Sequence, residues 1–197
     1  DEQTEPLRRA LLAQRQLSEA ATEEDGIAAV LATLRSHTAI ETAVYDAGFR
    51  PLASSGGSAE ERFALRREEI AKRLVTGMRW SMSEEDPAGT TIVAPLGTRG
   101  RSRGVLVATG AGPMTFYDRA LVSMVASLLG VLLELRASAA GQQRWLGGRT
   151  LEALLSGRLD EVESSLRLAK LGIECDTVQA AALPAGTEEP QIDAIAA

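Results

Sequence analysis

The chain is poor in the side chains that do chemistry. Its 197 residues include one cysteine, one histidine and seven aromatics. A lone Cys175 excludes an internal disulfide and suits a reducing cytoplasm. Two readings fit it, a small filler near a strand start and a redox sensor. A lone His37 leaves no Cys/His metal set and no nucleophile–His–Asp arrangement downstream of it, so no metal, cofactor or catalytic group is expected. His37 sits at a helix end and reads as a polar C-terminal cap. At 4% aromatic, packing falls to Leu, Val and Ala. Positive charge is in deficit, with 21 Lys and Arg against 27 Asp and Glu, a net charge of -6. That argues against nucleic-acid binding by this chain itself, because clustered positive charge dominates such affinity. Long apolar runs are also missing. The uncharged stretch 120–133 is interrupted by Ser123, Ser127 and Gly130, and reads as a buried core helix rather than a membrane span. The chain starts at Asp1 with no basic-plus-apolar leader, so it reads as a piece of a longer protein without a signal peptide.

What is present is a real core, with 45% hydrophobic residues. Residues 5–21 read as a helix with Pro6 in its first turn and Glu2 and Glu5 near its positive end. Leu7, Ala10, Gln14, Leu17 and Ala21 keep a spacing of three and four, with Leu11 beside them. This is a narrow seam of the kind that pairs with another helix. Thr22 is a candidate cap for a second helix, lined by Ile27, Val30, Leu31 and Leu34 and ending near His37. Strands at 42–45 and 50–54 flank the turn Asp46-Ala47-Gly48. A charged amphipathic helix follows at 59–75, ended by Gly77. Residues 79–82 read as a short strand and 83–89 as an acidic loop.

Two apolar strands, 91–96 and 104–108, flank a Gly/Arg-rich loop; a turn at 110–113 leads to a long helix at 118–135. Gly141, Gly147 and Gly148 interrupt the helical pattern, and shorter helices are expected at 150–155 and 161–171, with a strand at 177–183. Strands joined by short turns are antiparallel. With one face covered by the two flanking long helices, the expected class is α+β.

Three motifs point to chemistry and fall short of it. Gly100-Arg101-Ser102-Arg103-Gly104 has the spacing of a nucleophile elbow, but it lies between two strands and His37 precedes it. Arg99, Arg101 and Arg103 among glycines offer anion donors, yet no P-loop lysine and no following helix accompany them, so a solvated hairpin tip is expected. Residues 168–178 superficially have a helix-turn-helix look, but the run after them has no Lys or Arg to reach DNA.

The long helix is apolar on two faces. Leu121, Met124, Leu128, Val131 and Leu135 form one seam, and Val122, Val125, Leu129 and Leu132 the other. One face covers the sheet and the other needs a partner, since each buried aliphatic is worth about 1.5–3 kcal/mol. The partner is the first helix of the same chain or a second subunit. In the second case Leu7, Leu11, Leu17, Leu121, Met124, Leu128, Val131 and Leu135 line a dimer bundle, which Leu128→Glu is expected to split.

Residues 25–135 resemble a GAF-type sensor domain. The resemblance rests on Pro95-Leu96 ending one strand, Gly104-Val105-Leu106 starting the next, and Phe116 with Asp118 opening the last helix. Leu151-Glu152-Ala153-Leu154-Leu155-Ser156-Gly157, then Ala169-Lys170-Leu171-Gly172-Ile173 and Thr177-Val178, is similar to the start of the degenerate GGDEF-like region in PucR/CdaR-type bacterial transcriptional regulators. The expected organisation is an N-terminal dimerisation helix at 1–22, marked by its seam, followed by a GAF-like sensor at 23–140 and a linker with a truncated GGDEF-like start at 141–197, as the resemblance implies. The expected fold is a GAF-like antiparallel sheet flanked by helices, with the seams of the long N- and C-terminal helices forming a dimer bundle. The resemblance also implies a small-molecule effector, with DNA contacted only through a helix-turn-helix domain outside this chain. Trp80, with Arg79 and Ser81, sits where GAF-like domains border their pocket, and Tyr45, Phe63, Thr91 and Val93 share that wall. Core filling explains the apolar ones equally well. The expected function is a cytoplasmic, non-enzymatic, membrane-free ligand sensor and homodimer. The alternative is a spacer whose pocket is filled by its own side chains.

Overall fold

The computed structural model describes residues 4–75, 81–87, 89–97, 102–156 and 161–170, and it divides the chain into two compact units, Asp1–Gly141 and Gln142–Ala197. In the first unit, α1 (Thr4–Ala20) and α2 (Gly26–His37) pack on each other as a helical hairpin. Thr22 does not open α2. Its hydroxyl donates to the Glu19 carbonyl at 2.7 Å and closes α1, while Asp25 takes the N-cap position of α2 with no side-chain capping bond. His37 at the end of α2 reaches across to Gln16 Oε1 at 2.6 Å.

Next come β1 (Glu41–Asp46) and β2 (Pro51–Ser54), joined by a turn held by Asp46, whose Oδ1 accepts from the Gly48 and Arg50 amides at 2.8 and 2.9 Å. Then follow α3 (Gly57–Val75), β3 (Met82–Asp86), β4 (Gly89–Leu96), β5 (Gly104–Gly110) and α4 (Phe116–Leu155). The sheet order is β2-β1-β5-β4-β3, and every pair is antiparallel. Gly89 starts β4 at φ 127, and a Cβ there would collide with the Gly110 carbonyl, so the residue has to be glycine.

Both faces of the sheet are buried, where one was expected. Val44, Ile92, Ala94, Leu96, Leu106 and Ala108 face α1, α2 and α4; Ala43, Tyr45, Val93, Val105 and Val107 face α3. The reason lies in β4 and β5. Nearly every residue in them is buried, and a strand covered on both sides shows a continuous apolar run instead of alternation.

The acidic segment is a strand and not a loop. Its carboxylates alternate, as strand geometry requires. Glu84 and Asp86 meet Arg66 and Arg62 of α3, and Glu85 meets Arg119 of α4 at 2.8 Å. Weak strand formers are tolerated here because β3 is an edge, where charged side chains also discourage pairing with another sheet.

The long helix differs from expectation at both ends. It opens on a reciprocal cap: Thr115 Oγ1 accepts from the Asp118 amide at 3.2 Å, and Asp118 accepts from the Thr115 amide at 3.0 Å. It then runs through Gly141, Gly147 and Gly148 to Leu155 as one helix. Each glycine costs about 1 kcal/mol relative to Ala, but unlike proline keeps its N–H and does not break the ladder. By length and composition α4 is the one described helix that could cross a membrane. Its Leu121, Val122, Val125, Leu129 and Leu133 join the core on this face of the sheet. The second unit holds the last part of α4 and α5 (Glu161–Lys170). The 177–183 strand reading and Cys175 lie outside the described residues.

Candidate functional site

Among the described residues, clefts open on each face of the sheet in the first unit. On the α3 face, the centre is occupied by the protein itself. The rings of Tyr45 and Phe63 stack with centroids 3.6 Å apart, amid Ile70, Val93, Val105 and Val107. Burial pushes the Tyr45 hydroxyl pKa up, and the nearby Glu60 adds to it. Beyond this plug, at the N-terminal end of α3, a cleft of about 240 Å³ remains, lined by Ala39, Glu41, Ser58, Arg62, Thr91 and Thr109 among others.

The cleft is polar and internally tied. Glu41 Oε2 accepts from the Ser58 amide at 2.9 Å and the Ser58 hydroxyl at 2.5 Å. These two bonds, the hydroxyl first, hold the Glu41 carboxyl below the usual range, and Arg35 adds a weaker pull. Ser58 Oγ also lies 2.9 Å from Thr109 Oγ1. Arg62 forks onto Asp86, with Nη2 to Oδ1 at 2.8 Å. Among the described residues no three His, Cys, Asp or Glu groups converge as a metal set.

The second cleft, of about 370 Å³, lies on the opposite face between β3, β4 and α4. Ile92, Ala94 and Pro95 form its strand side, and Val122, Ser123, Ala126 and Ser127 its helix side. Ser81, Ser83 and Arg119 stand at its rim. Arg119 donates to Ser83 Oγ and Glu85 Oε1, each at 2.8 Å.

The pocket residues expected from the sequence therefore separate. Tyr45, Phe63 and Val93 come together as filling, Thr91 lines the α3-face cleft, and Ser81 lines the groove on the other face. Arg79 and Trp80 lie outside the described residues. Sequence reading missed Glu41, Ser58, Arg62, Thr109 and Arg119. Ser58 with Glu61 three residues on carried a helix-start signal, and Arg62 and Arg66 sit one turn apart ready for an acidic strand. Glu41 carried no local signal.

The expected interface residues also divide. Leu17 and Leu121 are buried in this chain's own core, and Met124 and Leu128 are half-buried at its margin. Leu11, Val131 and Leu135 are exposed at 59%, 51% and 61%. The Leu7 side chain is outside the described residues. The arginine loop is not wholly a solvated tip. Arg103 pairs with Glu134 of α4 at 2.8 and 3.1 Å, which raises its pKa, whereas Arg99 and Arg101 lie outside the described residues. Ser102 Oγ donates to the Gly104 carbonyl at 2.9 Å.

No protein-family model and no curated protein matches the chain. Among solved structures, it is similar to the GAF domain of A. aeolicus nlh2 in an inactive state, with TM-score 0.50, 14% identity, and cover of 66% of this chain and 99% of that one. It also matches the GAF domain of an Acinetobacter phosphoenolpyruvate-protein phosphotransferase at TM-score 0.48 and 13% identity, over 70% and 96% of the two chains. At such identity the first likeness is one of fold, and the chain has a GAF-like α+β architecture.

Proposed function

We propose that this chain is the ligand-sensing and dimerisation region of a cytoplasmic bacterial transcriptional regulator of the PucR/CdaR type. It acts without catalysis and reaches DNA through a domain outside this chain. One observation carries the reading: α4 is capped at the sheet, buries Leu121, Val125 and Leu129 against it, and runs unbroken to Leu155. A ligand that binds two placements of α4 unequally would shift their populations, and the helix would carry the shift onward. The α3-face cleft is the seat in this reading, with Thr91 and Thr109 in its wall.

The Tyr45–Phe63 stack favours a second reading, a dimerising spacer whose pocket its own side chains fill. A thermal-shift screen of nucleobases, amino acids and organic acids separates the two. A ligand at 100 times its Kd adds about 2.7 kcal/mol, a Tm rise of roughly 5–10 °C. The sensor reading expects a dose-dependent rise that Thr109→Trp abolishes. Silence across the panel, or a rise untouched by Thr109→Trp, turns the reading to the spacer or to another seat.

A further inference from the structure

We propose that the groove between β4 and α4 is a binding site for a small carboxylic acid with an apolar body. It is distinct from the α3-face cleft, on the other side of the sheet, and does not depend on that cleft being a ligand seat.

The groove exists for a local reason. At Gly130 the helix approaches the end of β4 so closely that a Cβ would lie 3.1 Å from the Gly97 amide nitrogen. Over the two preceding turns, the side chains lining the groove are small: Ser123, Ala126 and Ser127. They leave about 370 Å³ between the helix and the strands, within the range of small-ligand pockets. The floor is apolar, with Ile92, Ala94, Val122 and Ala126, and offers contact to an aliphatic or aromatic body. Serine hydroxyls at the rim offer hydrogen bonds.

Arg119 is the only charged group lining the groove among the described residues, and it sets the ligand's sign and valence. Its guanidinium is already aimed by Ser83 and Glu85, with a long 3.4 Å bond to the Met114 carbonyl. Glu85 is 60% exposed, so this ion pair is a weak one that an incoming carboxylate can replace. A single guanidinium matches one carboxylate in a two-pronged bond. Among the described residues an inorganic polyanion has one cation to meet here, and it has no use for the apolar floor. Occupancy would wedge directly against α4.

Benzoate is the probe, and its neutral isostere benzamide the control, titrated into the full 197-residue chain with backbone amide NMR as the readout. Benzoate is expected to move the amides of Ala94, Ser123, Ala126 and Ser127 saturably, with benzamide weaker by about tenfold or more, the value of a charge-assisted hydrogen bond. Glu85→Gln removes the internal competitor and is expected to tighten benzoate roughly two- to fivefold. Arg119→Gln abolishes the preference over benzamide. Because Arg119 also steadies β3, Ala126→Leu serves as a second variant, filling the groove with the arginine intact and removing the response. Equal binding of benzoate and benzamide, no saturable shift at these amides, or a Glu85→Gln response no tighter than wild type each overturns the proposal.

Discussion

At the residue scale, Glu41 shows how one side chain can join three elements. It lies on β1, bonds the first turn of α3 through Ser58, and lies 3.4 Å from Arg35 on α2. Its carboxyl pKa is lowered in the folded state, so its contribution is present above the unfolded value near 4.5 and is lost as pH falls through the folded value. Glu84, lowered by Arg66, acts in the same direction. Urea midpoints measured from neutral pH down to acid should therefore fall below about pH 4.5. In Glu41→Gln the fall should be shallower but still present. An unchanged acid limb would mean that the Ser58 bonds do not hold in solution. Glu41 was invisible to sequence reading because its partners are 17 residues ahead and 6 behind in the chain. Tyr45 and Phe63 were legible as apolar, but whether they line a space or fill it depends on how two rings 18 positions apart meet.

At the element scale, β3 is the strand that sequence could not assign. Its residues Ser83, Glu84, Glu85 and Asp86 favour loops by local preference. Arginines on two different helices, matched to the two faces of the strand, overrule that preference. Replacing both Arg62 and Arg66 by Ala should loosen the edge. Hydrogen exchange should then quicken at the β3 amides while β1 and β5 keep their protection. Equal protection in the double variant would show that the backbone ladder to β4 holds β3 unaided. The helix α4 went the other way. Its apolar start was plain from sequence, but its glycines look like stops unless the surrounding helix-forming residues outweigh them. Gly141, Gly147 and Gly148 are each flanked by residues that continue the ladder, and no proline intervenes.

At the scale of the whole molecule, the proposed dimer rests on the apolar surface left after the core is closed. The spacing of three and four along α4 marks Leu121, Met124, Leu128, Val131 and Leu135 equally. The fold spends Leu121 inside and leaves Val131 and Leu135 outside. Leu135→Glu is therefore a cleaner test than Leu128→Glu. It should change folding stability by no more than about 0.5 kcal/mol and convert a dimer to a monomer in sedimentation. Leu128→Glu should cost about 1–3 kcal/mol as well, because Leu128 packs at the margin of the core. A Leu135→Glu protein that sediments as wild type does would move the interface away from this face.

Sequence by itself determined the elements whose cause is local: the two opening helices, the β1–β2 turn around Asp46, the apolar strands β4 and β5, and the apolar start of α4. Periodicity and turn chemistry act within a few residues, so they can be read along the chain. Tertiary structure alone decided that an acidic segment becomes an edge strand, and that Tyr45 and Phe63 close the centre of one cleft. It also opened the groove beside Arg119. Each of these depends on side chains far apart in sequence being brought within a few ångströms, and the pattern along the chain does not encode that distance.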